Sequence, residues 1–166
     1  MLFRSDTPPC SGAPVEVAVE YTGEVVDQPT KSITAAILRG LLVPQLGPDL
    51  NYVSAPVIAR ERGIHVTETT SMQPSDYRNR IAVRVKFSSG TTHEVAGAVF
   101  GRATVRLVKL DGFFLEAVPD GFILALYNRD VPGVVGRVGT LLGRHGGNIS
   151  ALELGRERSG GQAVSL

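Results

Sequence analysis

The stretch Asn128–Ser150, NRDVPGVVGRVGTLLGRHGGNIS, decides how the second half of this chain folds. Apolar, strand-like segments lead into it at 122–127 and out of it at 149–154. Pro132 suits the start of a helix, where its missing N–H group is not needed, and Asp130 can cap the free N–H groups of the first turn. A pair of glycines then ends the helical run. The stretch predicts strand, polar turn, helix, glycine stop and strand in succession.

The helical run carries two distinct sectors at 100° per residue. One sector is apolar, and we expect it to be buried: Val134, Val135, Val138, Leu141 and Leu142. The adjacent sector holds three glycines, Gly136, Gly139 and Gly143. An interior glycine costs about 1 kcal/mol of helix propensity relative to alanine. Three of them at this spacing predict that a neighbouring element comes close to the helix.

The start of this helix is the candidate binding site. The N–H groups of a first helical turn carry partial positive charge and attract a small carboxylate. Asn128, Asp130 and Asn148 add the acceptors and donors that an α-amino acid requires, since its ammonium group needs an anionic or carbonyl partner. The residues also allow a purely structural interpretation. In it Asp130 is only a helix cap and Asn148 only a turn residue.

The residues before this stretch predict an α+β layer, with helices on one face of a mostly antiparallel sheet. Alternating and helical hydrophobic patterns indicate strands at 15–22, 65–70, 81–87, 95–99, 104–110 and 113–118, and helices at 32–42 and 54–62. Pro44 and Gly47 are expected to end the first helix. We therefore predict a disordered, Pro/Ser/Gly-rich leader or linker at 1–14, a first domain at 15–118 and a second at 119–166, with 119–121 as the hinge.

Composition excludes several classes of function. The formal net charge of the 166 residues is +1, so the sequence indicates neither a nucleic-acid partner nor a membrane partner. The single cysteine, Cys10, supports neither a disulfide framework nor a metal site. None of the three histidines is paired in sequence with a nucleophile or an orienting carboxylate, so no catalytic residue and no metal ligand is assigned. The glycine run lies within a helix, so it is not a dinucleotide-binding fingerprint.

Basic residues on the later strands form a second candidate site. Alternate strand residues share a face, so Arg106 with its neighbours Arg102 and Lys109 can form a small anion-binding site. The alternative is that these side chains only keep an exposed sheet face soluble.

The chain resembles the regulatory region of long-form D-3-phosphoglycerate dehydrogenase. The motifs NRDVPGVVGRVGTLLGRHGGNIS and LELGR are similar to its ACT domain, and NYVSAPVIARERGI and VKLDGFFLEAVPDG to the intervening domain before it. The resemblance implies a ferredoxin-like βαββαβ ACT domain, of which this chain supplies βαββ, so we expect that domain to be incomplete. It also implies a cytoplasmic homo-oligomer assembled through the ACT and intervening domains. In that enzyme NAD and the catalytic residues belong to preceding domains, so we expect no cofactor and no activity in this chain alone.

The resemblance also implies a ligand and its contacts. ACT domains of this enzyme hold L-serine between two subunits, and the corresponding positions here are Asn128, Asp130, Gly133, Val134 and Asn148. Asn128 departs from the pattern, since many relatives carry His or Tyr there. The intervening domain is proposed to bind an anionic effector, and Arg106 best matches its basic residue.

Two other functions are compatible with the sequence. The regulatory part of an iron–sulfur L-serine dehydratase has a similar pair of domains, although the motifs ARERGI and LDGFFLEAVPDG favour the dehydrogenase. A stand-alone dimerisation module would form a stable dimer and respond to no ligand.

Overall fold

The computed structural model describes residues 12–72, 76–101, 104–158 and 160–166. Its strands and helices, labelled in chain order, are β1 (Pro14–Gly23), α1 (Thr30–Leu46), α2 (Ser54–Glu61), β2 (His65–Ser71), β3 (Asn79–Phe87), β4 (Thr92–Phe100), β5 (Thr104–Leu110), β6 (Phe113–Ala117), β7 (Leu126–Arg129), α3 (Val134–Arg144), β8 (Leu154–Arg156) and β9 (Gln162–Ser165). The predicted α+β fold is confirmed.

Six strands form the main sheet, in the order β2-β1-β3-β4-β5-β6. All neighbouring pairs in it are antiparallel except β1 and β2, which run parallel and are connected through α1 and α2. The predicted hairpins at 81–99 and 104–118 are present as β3–β4 and β5–β6. Helix α1 extends beyond its predicted end, because Pro44 in the last turn forfeits only one backbone hydrogen bond. It ends at Gly47, whose φ of 90° few other residues adopt.

The core of the main sheet lies beneath the two helices. Val17, Val19 and Tyr21 alternate along β1, are almost fully buried, and share a cluster with Leu38 and Leu42 of α1. The Tyr21 hydroxyl lies 2.7 Å from Thr34 Oγ1. Burial raises the pKa of Tyr21, with the hydrogen bond to Thr34 acting in the opposite direction. The alternating apolar residues of β1 and the apolar face of α1 therefore pack together in one buried layer.

The second sheet has the strand order β7-β9-β8 and is antiparallel. The predicted strand at 122–127 begins only at Leu126, because a strand needs a partner and β7 pairs with the four residues of β9. The predicted strand at 149–154 is present only at its last residue, Leu154, where β8 begins. Leu115 and Ala117 of β6 share a buried cluster with Tyr127 and Val164, so the two sheets pack against each other.

Helix α3 differs from its prediction. The apolar sector was expected to be buried, yet α3 contains no buried residue. Val134, Val138 and Leu142 are partly buried, whereas Val135 and Leu141 are 46% and 58% exposed. A Cβ at Gly136 or Gly143 would meet nothing within 4 Å, and one at Gly139 only Ile149 Cδ1 at 3.9 Å. The close approach predicted from the glycines does not occur within the described ranges, because no other element of the chain reaches that flank.

Across the part of the chain that the structure covers, no helix combines the length and apolarity that crossing a membrane requires.

Candidate functional site

The candidate site is built at the end of β7, where Asn128 lies. Its side-chain amide Nδ2 donates to the Arg129 carbonyl oxygen at 2.6 Å, and this bond identifies the other amide atom as the oxygen. That oxygen, Oδ1, is buried and has no hydrogen-bond partner among the described residues. A buried acceptor left without a donor costs about 1–3 kcal/mol. Asn128 therefore retains an acceptor that the described residues leave unsatisfied.

Asp130 does not cap the helix as predicted. Its backbone N–H donates to Gly161 O at 2.9 Å, and its Oδ2 accepts from Arg156 Nη1 at 3.1 Å. The carboxyl group is thus engaged by β8 rather than by the first turn of α3. Its other oxygen, Oδ1, makes no hydrogen bond within the described part of the chain.

Gly133 is the residue that begins α3. Its φ is 88°, in the left-handed region that favours glycine, and no side chain among the described residues caps the helix. Val134 is the first helical residue, and the Gly133 carbonyl accepts from Arg137 N at 3.1 Å. The first-turn N–H groups therefore face outward with their partial positive charge uncompensated by any described side chain.

Arg156 belongs to this site but was missed by the sequence interpretation. Asn128 on β7 and Arg156 on β8 both pair with Ala163 of β9, so their side chains lie on the same face of the sheet. Ala163 is small and 1% exposed, and it separates them. The motif LELGR contained the residue, but only the strand register could place it beside Asn128 and Asp130.

Asn148 lies four residues after the end of α3 and is exposed. No described contact joins its side chain to Asn128, Asp130 or Arg156. Its role in a binding site stays a prediction.

The basic residues of the main sheet are paired with carboxylates. Arg106 Nη1 lies 3.1 Å from Glu116 Oε2, and its guanidinium carbon lies 5.3 Å from the centre of the Phe100 ring. Lys109 Nζ lies 2.8 Å from Glu94 Oε1. The hydrogen bond from Lys109, followed by that from Arg84, lowers the pKa of Glu94 against the effect of burial. An anion at this face would compete with these carboxylates, and the third candidate, Arg102, lies outside the described residues. The anion site stays a prediction.

A hydrogen-bonded cluster joins the two sheets next to the site. The Tyr127 hydroxyl donates to Asp111 Oδ2 at 2.6 Å, and His93 Nδ1 lies 2.9 Å from the same oxygen. Asp111 Oδ1 accepts from Glu94 N at 2.9 Å. Asp111 holds this position with a φ of 46°, which Asp tolerates better than most residues. The residue before Asn128 is thereby tied to the main sheet.

Comparison with protein families assigns both halves of the chain. Residues 11–111 match the D-3-phosphoglycerate dehydrogenase intervening domain, and residues 122–165 match the ACT domain. The chain belongs to the D-3-phosphoglycerate dehydrogenase intervening-domain family. The predicted resemblance is confirmed, and the β7, α3, β8 and β9 elements that carry the candidate site lie within the ACT match.

Individual relatives agree with this assignment. The chain is 35% identical over 158 residues to D-3-phosphoglycerate dehydrogenase of Bacillus subtilis, a match covering 95% of this chain and 30% of the relative. It is 37% identical over 157 residues to the protein of the same name from Archaeoglobus fulgidus, covering 93% and 29%. The chain thus spans about 30% of the length of the D-3-phosphoglycerate dehydrogenases it matches.

Proposed function

We propose that this chain is a regulatory and oligomerising part of a D-3-phosphoglycerate dehydrogenase of serine biosynthesis, and that its ACT domain binds a small α-amino acid such as L-serine. The observation that carries the proposal is the start of α3, which no described side chain caps and which comes shortly after Asn128, with its unpaired Oδ1, and Asp130 in the chain. ACT domains of this family bind amino-acid effectors. The NAD-dependent chemistry belongs to domains outside this chain.

The two ends of an amino acid match the two kinds of group at this site. The ligand carboxylate is attracted by the first-turn N–H groups of Gly133, Val134 and the residues that follow. The ammonium group donates to Asn128 Oδ1 and to Asp130. Because both acceptors are partly shielded from water, each hydrogen bond to the cation counts for more than it would on an open surface.

Regulation follows from where the site lies. By analogy with the family, we infer that the ligand binds between two ACT domains and that Asn148 contributes to that interface, so binding changes how two copies sit against each other. Such a site alters turnover elsewhere only if the two quaternary arrangements bind the effector with different affinity.

Calorimetry of the 166-residue protein against L-serine, glycine and 3-phosphoglycerate tests the proposal. We expect L-serine to bind, and Asp130→Ala to weaken it about tenfold or more, as expected for loss of a charge-assisted hydrogen bond. Asp120→Ala is the matched control, since that residue is exposed and lies outside the site. Absence of binding by every compound, with Asp130→Ala changing only thermal stability, would contradict the proposal.

A purely structural dimerisation module is the second candidate. It is favoured by the apolar side chains that α3 and the following segment expose, which include Val135, Leu141, Ile149 and Leu152. Sedimentation equilibrium separates the two functions. The structural module predicts a dimer whose association constant is the same with and without L-serine, whereas an effector site at the interface predicts that L-serine shifts it.

A further inference from the structure

We propose that Arg156 is the carboxylate anchor of the amino-acid site and makes it selective for ligands that carry both a free α-carboxylate and an ammonium group. The inference rests on the proposed function, because it concerns the ligand class of the same site. Arg156 lies in the motif LELGR, to which the sequence alone assigned no binding role.

The strand register places Arg156 at the site. Ala163 of β9 pairs with Asn128 on one side and with Arg156 on the other, so the three residues form a row across the sheet with their side chains on one face. The central residue is an alanine that is 1% exposed, so no large side chain of β9 stands between Asn128 and Arg156. Arg156 reaches over this row to Asp130, with Nη1 3.1 Å from Oδ2.

Packing fixes the backbone that carries Arg156. A Cβ added to the preceding residue, Gly155, would lie 2.8 Å from Phe114 O and 3.0 Å from Phe113 Cβ. Strand β8 is therefore pressed against β6 so closely that only glycine fits. Arg156 projects from a held strand rather than from a loose loop, and a guanidinium on a fixed backbone loses less entropy when it binds a ligand.

The guanidinium has unused donors. An arginine side chain carries five N–H donors, and the contact with Asp130 is the only hydrogen bond of the Arg156 side chain in the described part of the chain. The Arg156 side chain is 55% exposed and that of Asp130 21% exposed, so the outer part of the guanidinium is open to a ligand. A planar fork of donors suits a carboxylate held by two hydrogen bonds.

Charge complementarity then selects the ligand class. Arg156 and Asp130 supply one positive and one negative charge a short distance apart, and a zwitterionic amino acid supplies the same pair in the opposite order. The ligand carboxylate, attracted by the first-turn N–H groups of α3, also accepts hydrogen bonds from Arg156, while its ammonium group joins Asp130 Oδ1 and Asn128 Oδ1. An amine lacking the carboxylate would leave Arg156 without a new partner, and a carboxylate lacking the amine would leave Asn128 Oδ1 unsatisfied.

The opposite role is also physically possible and makes a different prediction. If Arg156 only neutralises Asp130, it competes with the ligand ammonium for that carboxyl group. Removing it would then strengthen the binding of every amine, including L-serine. The two roles predict changes of opposite sign in the affinity for L-serine.

The test measures the affinity of the 166-residue protein for L-serine, L-serinamide and ethanolamine by calorimetry, in the unchanged chain and in Arg156→Gln. We expect the unchanged chain to bind L-serine about ten- to a hundredfold more tightly than L-serinamide or ethanolamine. In Arg156→Gln the affinity for L-serine falls by a similar factor and the preference over L-serinamide disappears. Arg156→Lys keeps the charge but loses the fork, and should recover part of that preference.

Arg158→Gln is the control, because Arg158 is an exposed arginine two residues away that forms no ion pair among the described residues. Circular dichroism melting of each variant verifies that it is folded. The anchor role is overturned if Arg156→Gln binds L-serine as well as the unchanged chain or better, a result that leaves the amino-acid site itself standing. If the folded, unchanged chain binds none of the three compounds, the proposed function fails and the inference fails with it.

Discussion

The two ends of this molecule are packed very differently. Where α1 and α2 cover the main sheet, Leu38 is 1% exposed and Leu42 fully buried beside Val17. Where α3 accompanies the second sheet, the helix has no buried residue, and Leu141 is 58% exposed. Helices α1 and α3 are both amphipathic in sequence, so amphipathicity alone does not decide whether a helix is buried. The number of apolar partners that the rest of the chain brings to each helix decides it.

This difference separates stability from binding. A dry, interlocked core gives most of the free energy of unfolding and has little freedom to respond to a ligand. The candidate effector site lies at the sparsely packed end, which retains unpaired acceptors and uncapped N–H groups. Binding energy can change local order there, because little packing opposes the change.

The largest expected effect comes from the buried helix. We expect Leu38→Ala to lower the free energy of unfolding by about 2–5 kcal/mol, since it removes a fully packed leucine. Leu141→Ala on α3 should change it by less than about 0.5 kcal/mol, as exposed positions do. Urea denaturation followed by circular dichroism measures both. Equal losses would mean that α3 is packed as tightly as α1 and would remove the contrast.

Two glycines, one packed against β6 and one on the open flank of α3, give the next largest effects. Gly155→Ala places a Cβ against the Phe114 carbonyl oxygen, and we expect it to cost about 1–3 kcal/mol as β8 and β6 separate. Gly136→Ala meets nothing within 4 Å and should stabilise the helix by up to about 1 kcal/mol. Thermal melting of the two variants gives the sign of each change. A destabilising Gly136→Ala that also alters the sedimentation coefficient would indicate that another copy approaches this flank.

The cluster between the two sheets gives a smaller effect. Tyr127→Phe removes the hydroxyl that donates to Asp111 at 2.6 Å, and should lower stability by about 0.5–1.5 kcal/mol. Because Tyr127 is adjacent to Asn128, we also expect the Tyr127→Phe substitution to change the affinity for L-serine. Tyr52→Phe, on an exposed ring, is the control and should change neither quantity. Stability and affinity that both match the unchanged chain would show that the cluster does not connect the sheets energetically.

The smallest effect concerns acid stability. The hydrogen bond from Lys109, followed by that from Arg84, holds the pKa of Glu94 below its ordinary value of 4.5. The folded state therefore binds the proton less readily than the unfolded chain does. The stabilisation is fully present above pH 4.5 and is lost as the pH falls through the lower folded value. In Glu94→Gln the free energy of unfolding should depend less on pH below pH 4.5. The difference should be no more than about 1 kcal/mol, since the ion pair is partly exposed. An unchanged slope below pH 4.5 would argue against the assignment.

Local patterns in the sequence were sufficient for most of the fold. Alternation along 15–22 and 81–87 predicts β1 and β3 because one side chain in two faces the helices. Asp111-Gly112 predicts the β5–β6 turn because both residues tolerate positive φ. The candidate binding residues Asn128 and Asp130 were also named from local signals, namely a polar strand end followed by a proline and a glycine, whereas Gly133 was named from the family resemblance.

What failed was non-local. Asp130 was predicted to cap α3, but it forms an ion pair with Arg156, 26 positions later, which no spacing rule predicts. Arg156 became part of the site only through its pairing with Ala163. The buried face of α3 failed for the same reason, since hydrophobic periodicity shows which face is apolar and says nothing about what covers it. Strand register, and which elements cover a given helix face, are properties of the whole fold.

Hydrogen exchange of individual backbone amides, with and without saturating L-serine, measures both the difference in packing between α1 and α3 and the response of α3 to the ligand. Without ligand we expect amides in the middle of α3 to exchange at least about a hundredfold faster than those around Leu38 and Leu42, because local opening costs less free energy where packing is sparse. L-serine should slow exchange in the first turns of α3 and in β7, and leave α1 unchanged. Equal protection of α1 and α3 without ligand, together with no change on adding L-serine, would contradict the account.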